Sequence, residues 1–228
     1  MNISSYFFRS KPLPDVLPPA EARFLKSLCK AKAVRRGKEL FAEATYPKGV
    51  FILRKGKVKI YQRTPDGSEQ IIYIAMPGDM FGYRPILCNE KHPVGATTIE
   101  DCNFFYISKD DFVSAIDRHP AIARILLENL SYEFTVWVNI ITSLGQRSVK
   151  ERLAINLLTL IEKYRGQKKW PVEIQLSRRD LAAMVGTSIE TLARLITWMS
   201  RNRIILLRGR TIVITGSDQA KKLANLIV

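Results

Sequence analysis

Cysteine is scarce and scattered in this chain, with Cys29, Cys88 and Cys102 the three present in 228 residues. An odd number without close spacing builds neither a disulfide framework nor a zinc site. Histidine is scarcer still: His92 and His119 stand far apart and alone. There is no carboxylate cluster at metal-ligand spacing, no phosphate-cradling glycine loop and no dinucleotide glycine pattern, so an enzyme is not expected and no metal site is read. Asp110-Asp111 and Glu100-Asp101 are more simply a helix start and turn charges. Long apolar runs are missing as well. In the helical part the longest charge-free stretch, 134–146, falls short of the ~20 residues that cross a bilayer. The opening MNISSYFFRSKPLPDVLPP has no basic n-region or apolar h-region, and no lipidation signal is seen, so the cytoplasm is the expected compartment and no membrane partner is expected.

Acidic residues are also in the minority. Lys+Arg number 36 against 21 Asp+Glu, a net charge of +15. The excess is uneven: residues 145–228 hold sixteen basic against six acidic residues, whereas 1–144 hold twenty against fifteen. A basic surface concentrated in the shorter part fits nucleic acid. The length allows two modest domains, and a 46% hydrophobic fraction is that of a globular chain.

The densest signal lies in 176–214. A short helix is expected over about 178–185, opened by Ser177 with Asp180 three positions on, and ended by Gly186. A second helix is read as opening at Thr187 with Glu190 as its box partner, carrying Leu192, Leu195, Ile196 and Met199 at helical spacing. Two helices across a glycine turn form a helix-turn-helix, whose second helix can enter the major groove. Ser188, Ile189, Glu190, Ala193, Arg194 and Thr197 then fall on or near the open side. A glutamate can accept from cytosine N4, and an arginine can donate twice to guanine. Glu190 and Arg194 are also i, i+4 neighbours, the spacing of an exposed ion pair. Strands 204–207 and 211–214, turning through Arg208-Gly209-Arg210, read as a wing with two phosphate-seeking charges. Lys168 and Lys169 in a basic loop would add to them.

Upstream, 20–31 reads as a short amphipathic helix. From 33 to 107, apolar runs of four to seven residues alternate with glycine and proline turns, the pattern of an antiparallel barrel or roll with an apolar interior. Ser108 opens a helix, and Pro120 opens a long one running to about Leu144. On it Ala123, Leu127, Leu130, Phe134, Trp137, Ile141 and Leu144 repeat with 4-3 spacing, a coiled-coil-like seam. Ile122, Ile125, Tyr132, Val136 and Ile140 make a second apolar line. The long helix therefore reads as a dimer interface that also touches the roll. Residues 143–146 are the expected hinge before a helix over 147–164 and a short strand over 170–175. The expected fold class is α+β: an N-terminal antiparallel β-roll of jelly-roll type (1–118), a long dimerisation helix (119–144) and a C-terminal winged helix-turn-helix (145–228).

This order of parts resembles the cyclic-AMP receptor protein / fumarate-nitrate reduction regulator (CRP/FNR) superfamily of bacterial transcription factors, over about residues 21–216. The most specific match is SRRDLAAMVGTSIETLAR, 177–194. Gly56, Gly67, Gly78-Asp79 and Gly82 match glycines of the family's roll, and 146–160 its first DNA-domain helix. The resemblance implies a homodimeric, allosteric regulator that binds a palindrome in double-stranded DNA and, as an activator, meets RNA polymerase. It implies base reading by Glu190 and Arg194 and phosphate contacts at Ser177, Arg178 and Ser188. Ile189 and Ala193 depart from the residues of the two best-known members.

On the effector side the family's phosphate-binding segment corresponds to Phe81-Gly82-Tyr83 and His92-Pro93-Val94. The carboxylate for the ribose and the guanidinium for the phosphate are both missing there. Trp137 and Val138 stand where the family's long helix contacts adenine, so cyclic AMP in its usual pose is not expected. Three scattered cysteines cannot hold a four-thiolate iron–sulfur cluster, and haem is not expected on two lone histidines. Arg84 is the cation that could meet an anionic effector in this pocket. The effector is left as an unidentified small molecule. A haem- or redox-responsive member, and a ligand-binding roll that regulates a protein partner, are the alternative readings.

Overall fold

The computed structural model describes residues 3–8, 13–165 and 170–227, so Lys168 and Lys169 lie outside the described residues. A 3-10 turn, Ile3–Tyr6, and two helices, α1 (Leu13–Val16) and α2 (Pro19–Leu28), come first. Eight strands then follow: β1 (Lys30–Val34), β2 (Glu39–Phe41), β3 (Gly49–Lys55), β4 (Val58–Arg63), β5 (Glu69–Ala75), β6 (Met80–Phe81), β7 (Gly95–Thr98) and β8 (Cys102–Ser108). Helix α3 (Arg84–Cys88) interrupts them between β6 and β7. They form two antiparallel sheets, ordered β1-β8-β3-β6 and β2-β7-β4-β5. This is the expected roll. Residues distant in sequence pair within it, Val50 with Ile107 on one sheet and Ile60 with Ala96 on the other.

The core explains the strand patterns. The first five residues of β3, GVFIL, are all buried, the mark of a strand covered on both faces. Gly49 opens that strand because a Cβ there would meet the Tyr106 ring at 2.6 Å and the Ile107 carbonyl at 2.3 Å. Leu25, Val50, Tyr83, Ile107, Phe112, Ile122 and Leu126 belong to one hydrophobic cluster. The helix that closes the roll, α4 (Lys109–Arg118), starts at Ser108, whose hydroxyl accepts from the Asp111 N–H at 3.2 Å.

Helix α5 spans Pro120–Gln146 and α6 spans Val149–Arg165. Gly145 is helical, so the expected hinge at 143–146 is corrected: the break falls at Arg147-Ser148. Its cause is a helix start that the sequence reading missed. The Ser148 hydroxyl accepts from the Glu151 N–H at 3.3 Å, and the Glu151 carboxylate accepts from the Ser148 N–H at 2.9 Å. These reciprocal bonds satisfy two donors that a new helix would leave open. The remaining elements are β9 (Val172–Ile174), α7 (Arg178–Val185), α8 (Ile189–Arg201), β10 (Leu206–Arg208), β11 (Thr211–Ile214) and α9 (Ser217–Ala224). A three-stranded sheet, β10-β11-β9, forms the wing. The wing's first strand begins two residues later than read, because Ile204 and Ile205 are buried core residues outside the sheet.

Two compact units emerge: Phe8–Phe134, and Met1–Phe7 together with Thr135–Val228. Within the second, α6 is the scaffold, packed by α7, α9, β9 and the N-terminal 3-10 turn.

Candidate nucleic-acid interface and effector pocket

The helix-turn-helix is built from local hydrogen bonds before any packing. Ser177 accepts from the Asp180 N–H at 2.9 Å and donates to its carboxylate at 2.6 Å. Gly186 ends α7 at φ 70°, a left-handed geometry that strains other residues. The second helix opens at Ser188, not Thr187: the Ser188 hydroxyl accepts from the Thr191 N–H at 3.1 Å. The Thr187 N–H is instead used by the turn, donating to the Ala182 carbonyl at 3.1 Å. Leu192, Ile196 and Met199 are buried, and Leu195 is half-buried.

The opposite face is open. Ser188, Ile189, Glu190, Ala193, Arg194 and Thr197 are all exposed, as the angular sorting anticipated. Glu190 and Arg194 form no ion pair; Arg194 donates to the Thr191 hydroxyl at 3.2 Å. The Glu190 carboxyl is held below its ordinary pKa by its own backbone N–H and the Ser188 hydroxyl, with a further contribution from Arg194. Both side chains are exposed, and their bonds are confined to the first turns of α8. Ser177 is exposed and Arg178 half-buried at the start of α7. At the wing tip, Arg208 makes a loose exposed pair with Glu173 at 3.4 Å, while Arg210 has no acidic partner among the described residues.

One residue the sequence reading passed over holds this motif in place. From α6, the Arg152 guanidinium donates to the carbonyls of Val185 at 2.8 Å, Gly186 at 3.0 Å and Arg147 at 2.7 Å. The first two close the C-terminal end of α7, where carbonyls lack helical partners and a positive charge is favoured. Arg152 thus joins the scaffold helix to the turn that aims α8. Its signal in sequence is one arginine among polar neighbours at helical spacing, Ser148 and Asn156, which does not name a partner.

The residues expected to line an effector pocket divide: Phe81, Gly82 and His92 border Phe41, whereas Tyr83 and Arg84 turn to Glu133. Tyr83 is fully buried and donates to Glu133 at 3.0 Å, and Arg84 pairs with the same carboxylate at 2.6 Å. Arg84 is therefore not a free cation for an anionic effector; Glu133, only 2% exposed, already neutralises it. Burial, followed by the Glu133 charge, raises the Tyr83 phenol far above its ordinary range. Phe8 covers the group: its ring lies 4.5 Å from Tyr73 and 5.4 Å from the Arg84 guanidinium carbon. Phe81 stacks on Phe51 at 5.6 Å, and Gly82 is buried beside it. His92 stacks instead on Phe41, Pro93 is exposed and Val94 half-buried. Trp137 belongs to the other compact unit. Local sequence could not reveal that Glu133, some fifty residues away, would take both Tyr83 and Arg84.

The seam positions on α5 are unevenly covered. Leu127, Phe134, Ile141 and Leu144 are 65%, 70%, 65% and 40% exposed, whereas Leu130 and Trp137 are half-buried. Among the described residues no helix is long and apolar enough to cross a membrane, and no cluster of three or more metal-ligating side chains occurs.

Comparison with known proteins agrees with this architecture. Residues 31–119 match the cyclic nucleotide-binding domain model, and 151–219 match the Crp-like helix-turn-helix domain. A CRP-like cAMP-activated global transcriptional regulator of Mycobacterium tuberculosis is 30% identical over 83% of this chain and 85% of its own length. The fumarate and nitrate reduction regulatory protein of Yersinia pestis is 26% identical over 85% of this chain and 78% of its own. The structure of FixK2 from Bradyrhizobium japonicum superposes with a TM-score of 0.79 at 24% identity, covering 88% of this chain and 98% of that one. With its antiparallel roll, its winged helix-turn-helix and these relatives, the chain belongs to the CRP/FNR family of transcription regulators.

Proposed function

We propose that this protein is a homodimeric regulator that reads a palindromic DNA site through Glu190 and Arg194. The observation that carries the reading is the open face of α8, where both side chains are exposed and in no ion pair, beside small or apolar neighbours. In this reading 1–118 form the sensing roll, 119–144 the dimerisation helix and 145–228 the DNA-binding domain. Four large apolar side chains at coiled-coil spacing stand open on α5, and a second copy of the helix is the natural cover. A two-fold dimer would set its recognition helices about one helical turn of DNA apart. Arg210, and Arg208 once released from Glu173, add phosphate contacts, so affinity should fall steeply with salt.

Control is exerted by packing in the roll and along α5, biasing dimers between binding and non-binding poses. A cyclic nucleotide in the family's usual pose is not part of this proposal. Tyr83 and Arg84 are committed to Glu133, and nothing at His92-Pro93-Val94 supplies a guanidinium. RNA polymerase is the further partner if the protein activates.

Selection of bound sequences from a random DNA pool, alongside sedimentation of the free protein, tests the reading. The expected result is an enriched palindrome bound by a dimer. Recovery of no preferred sequence would count against it.

A further inference from the structure

A cleft of about 340 Å³ opens on the roll, lined among others by Lys32, Phe41, Lys48, Phe51, His92 and Tyr106. It shares only His92 with the residues that the sequence marked for an effector. His92 is 3% exposed, and its ring stacks on Phe41 with centroids 3.9 Å apart and planes within 10°. Neither ring nitrogen has a hydrogen-bond partner among the described residues. These nitrogens are not sealed from solvent, and the residue lines the cleft, so a ligand entering it can reach them. The ring is also firmly placed: the Ala44 N–H donates to the His92 carbonyl, and the His92 N–H donates to the Thr45 carbonyl, each at 2.8 Å.

The remaining walls specify what such a partner would look like. Phe51 and Tyr106 meet at 5.1 Å and 61°, so most of the apolar lining is aromatic. Lys32 lies over the Tyr106 ring at 3.5 Å from its centroid, and neither Lys32 nor Lys48 has a carboxylate partner among the described residues. Glu39, the acidic residue of the lining, is already engaged by the Tyr61 hydroxyl at 3.3 Å and Arg63 at 3.5 Å. The volume is at the low end of small-molecule sites and accommodates an aromatic ring.

We propose that this cleft binds a one-ring aromatic anion, its ring against the Phe41–His92 stack and its carboxylate or phosphate answered by Lys32 and Lys48. His92 would complete the site with one ring nitrogen toward the ligand. Burial holds its pKa down at about 4, so at neutral pH the imidazole is uncharged and offers one donor and one acceptor. The inference does not depend on the DNA-binding reading and is read out on the roll alone.

The chain's two histidines make the test direct. His119, whose ring lies 4.4 Å from that of Phe24 at a tilt of 39°, serves as the internal control. Imidazole NMR signals of the full-length protein are followed while benzoate or phenyl phosphate is added, with His119→Gln to assign them. Benzyl alcohol supplies the ring without charge; acetate and inorganic phosphate supply the charge without a ring. The expected result is a saturable shift of His92, unmatched at His119, with one of the two aromatic anions. Which one acts distinguishes carboxylate from phosphate. Lys32→Met with Lys48→Met, and separately His92→Phe, should each weaken binding at least about tenfold. The double lysine variant, altered only at exposed positions, keeps the test valid if His92→Phe folds poorly. No His92 shift at about 10 mM probe, or equal shifts with benzyl alcohol or inorganic phosphate, overturns the proposal and leaves a water-filled cleft.

Discussion

Replacing Arg152 by alanine removes three charge-assisted hydrogen bonds from the scaffold of the DNA-binding motif. Val185 is fully buried, so its carbonyl is left unsatisfied at a cost of about 2 kcal/mol. Gly186 and Arg147 are half-buried, and their carbonyls regain water, losing about 0.5 kcal/mol each. The expected total is about 3 kcal/mol. At roughly 4–8 °C per kcal/mol for a small domain, melting should fall by about 12–24 °C. Trp137, Trp170 and Trp198 all lie in the unit that carries Arg152, so tryptophan fluorescence follows its unfolding. Well below the melting point, affinity for the selected palindrome should drop about tenfold or more as the α7–α8 turn loosens, with non-specific affinity little changed. Arg152→Lys keeps the charge but not the planar fork, and should fall between the two. A melting temperature within about 2 °C of wild type, with unchanged DNA affinity, would refute the clamp.

Glu190→Ala and Arg194→Ala should each relax discrimination at one base position, costing about 1–3 kcal/mol on the preferred site and little elsewhere. Competition binding against scrambled DNA checks this, and equal losses on both DNAs would show that neither reads bases. Arg210→Ala should weaken all DNA alike and lower the log–log salt slope by about 1; an unchanged slope removes Arg210 from the phosphate contacts. Leu127→Glu or Phe134→Glu puts a charge in the exposed seam and should yield monomers in sedimentation velocity, whereas a persistent dimer would point to another interface. His92 titrates near 6.5 when unfolded but at about 4 in the fold, so the unfolded chain binds the extra proton between those values. Its stabilising contribution is complete above about pH 6.5 and is lost as pH falls toward 4, an effect of about 3 kcal/mol. Chemical denaturation of wild type against His92→Phe from pH 4 to 7 measures it; parallel curves would exclude His92 as the source.

The features legible in the chain alone are those set by neighbours in sequence. Ser177 with Asp180 three positions on, Gly186 after an apolar repeat, and alternating short runs between glycine turns each fix a local conformation through nearby hydrogen bonds or sterics. Where two local solutions compete, the reading slipped: Thr187 and Ser188 can both cap, and the fold uses the Thr187 N–H for the turn. The Ser148–Glu151 box was missed beside the more conspicuous Gly145, which proved able to remain helical.

The chain by itself thus determined the roll, the long helix, the winged motif and the open face of α8. Only the tertiary structure decided which partners meet across long separations. Glu133 takes Tyr83 and Arg84, the cation expected to meet an anionic effector. Arg152 reaches the end of α7, and His92 reaches Phe41 rather than Tyr83. The reason is physical: caps and periodicity act within a turn or two of the chain. A buried charge or imidazole finds its partner through the pairing of distant strands and helices, which no local pattern records.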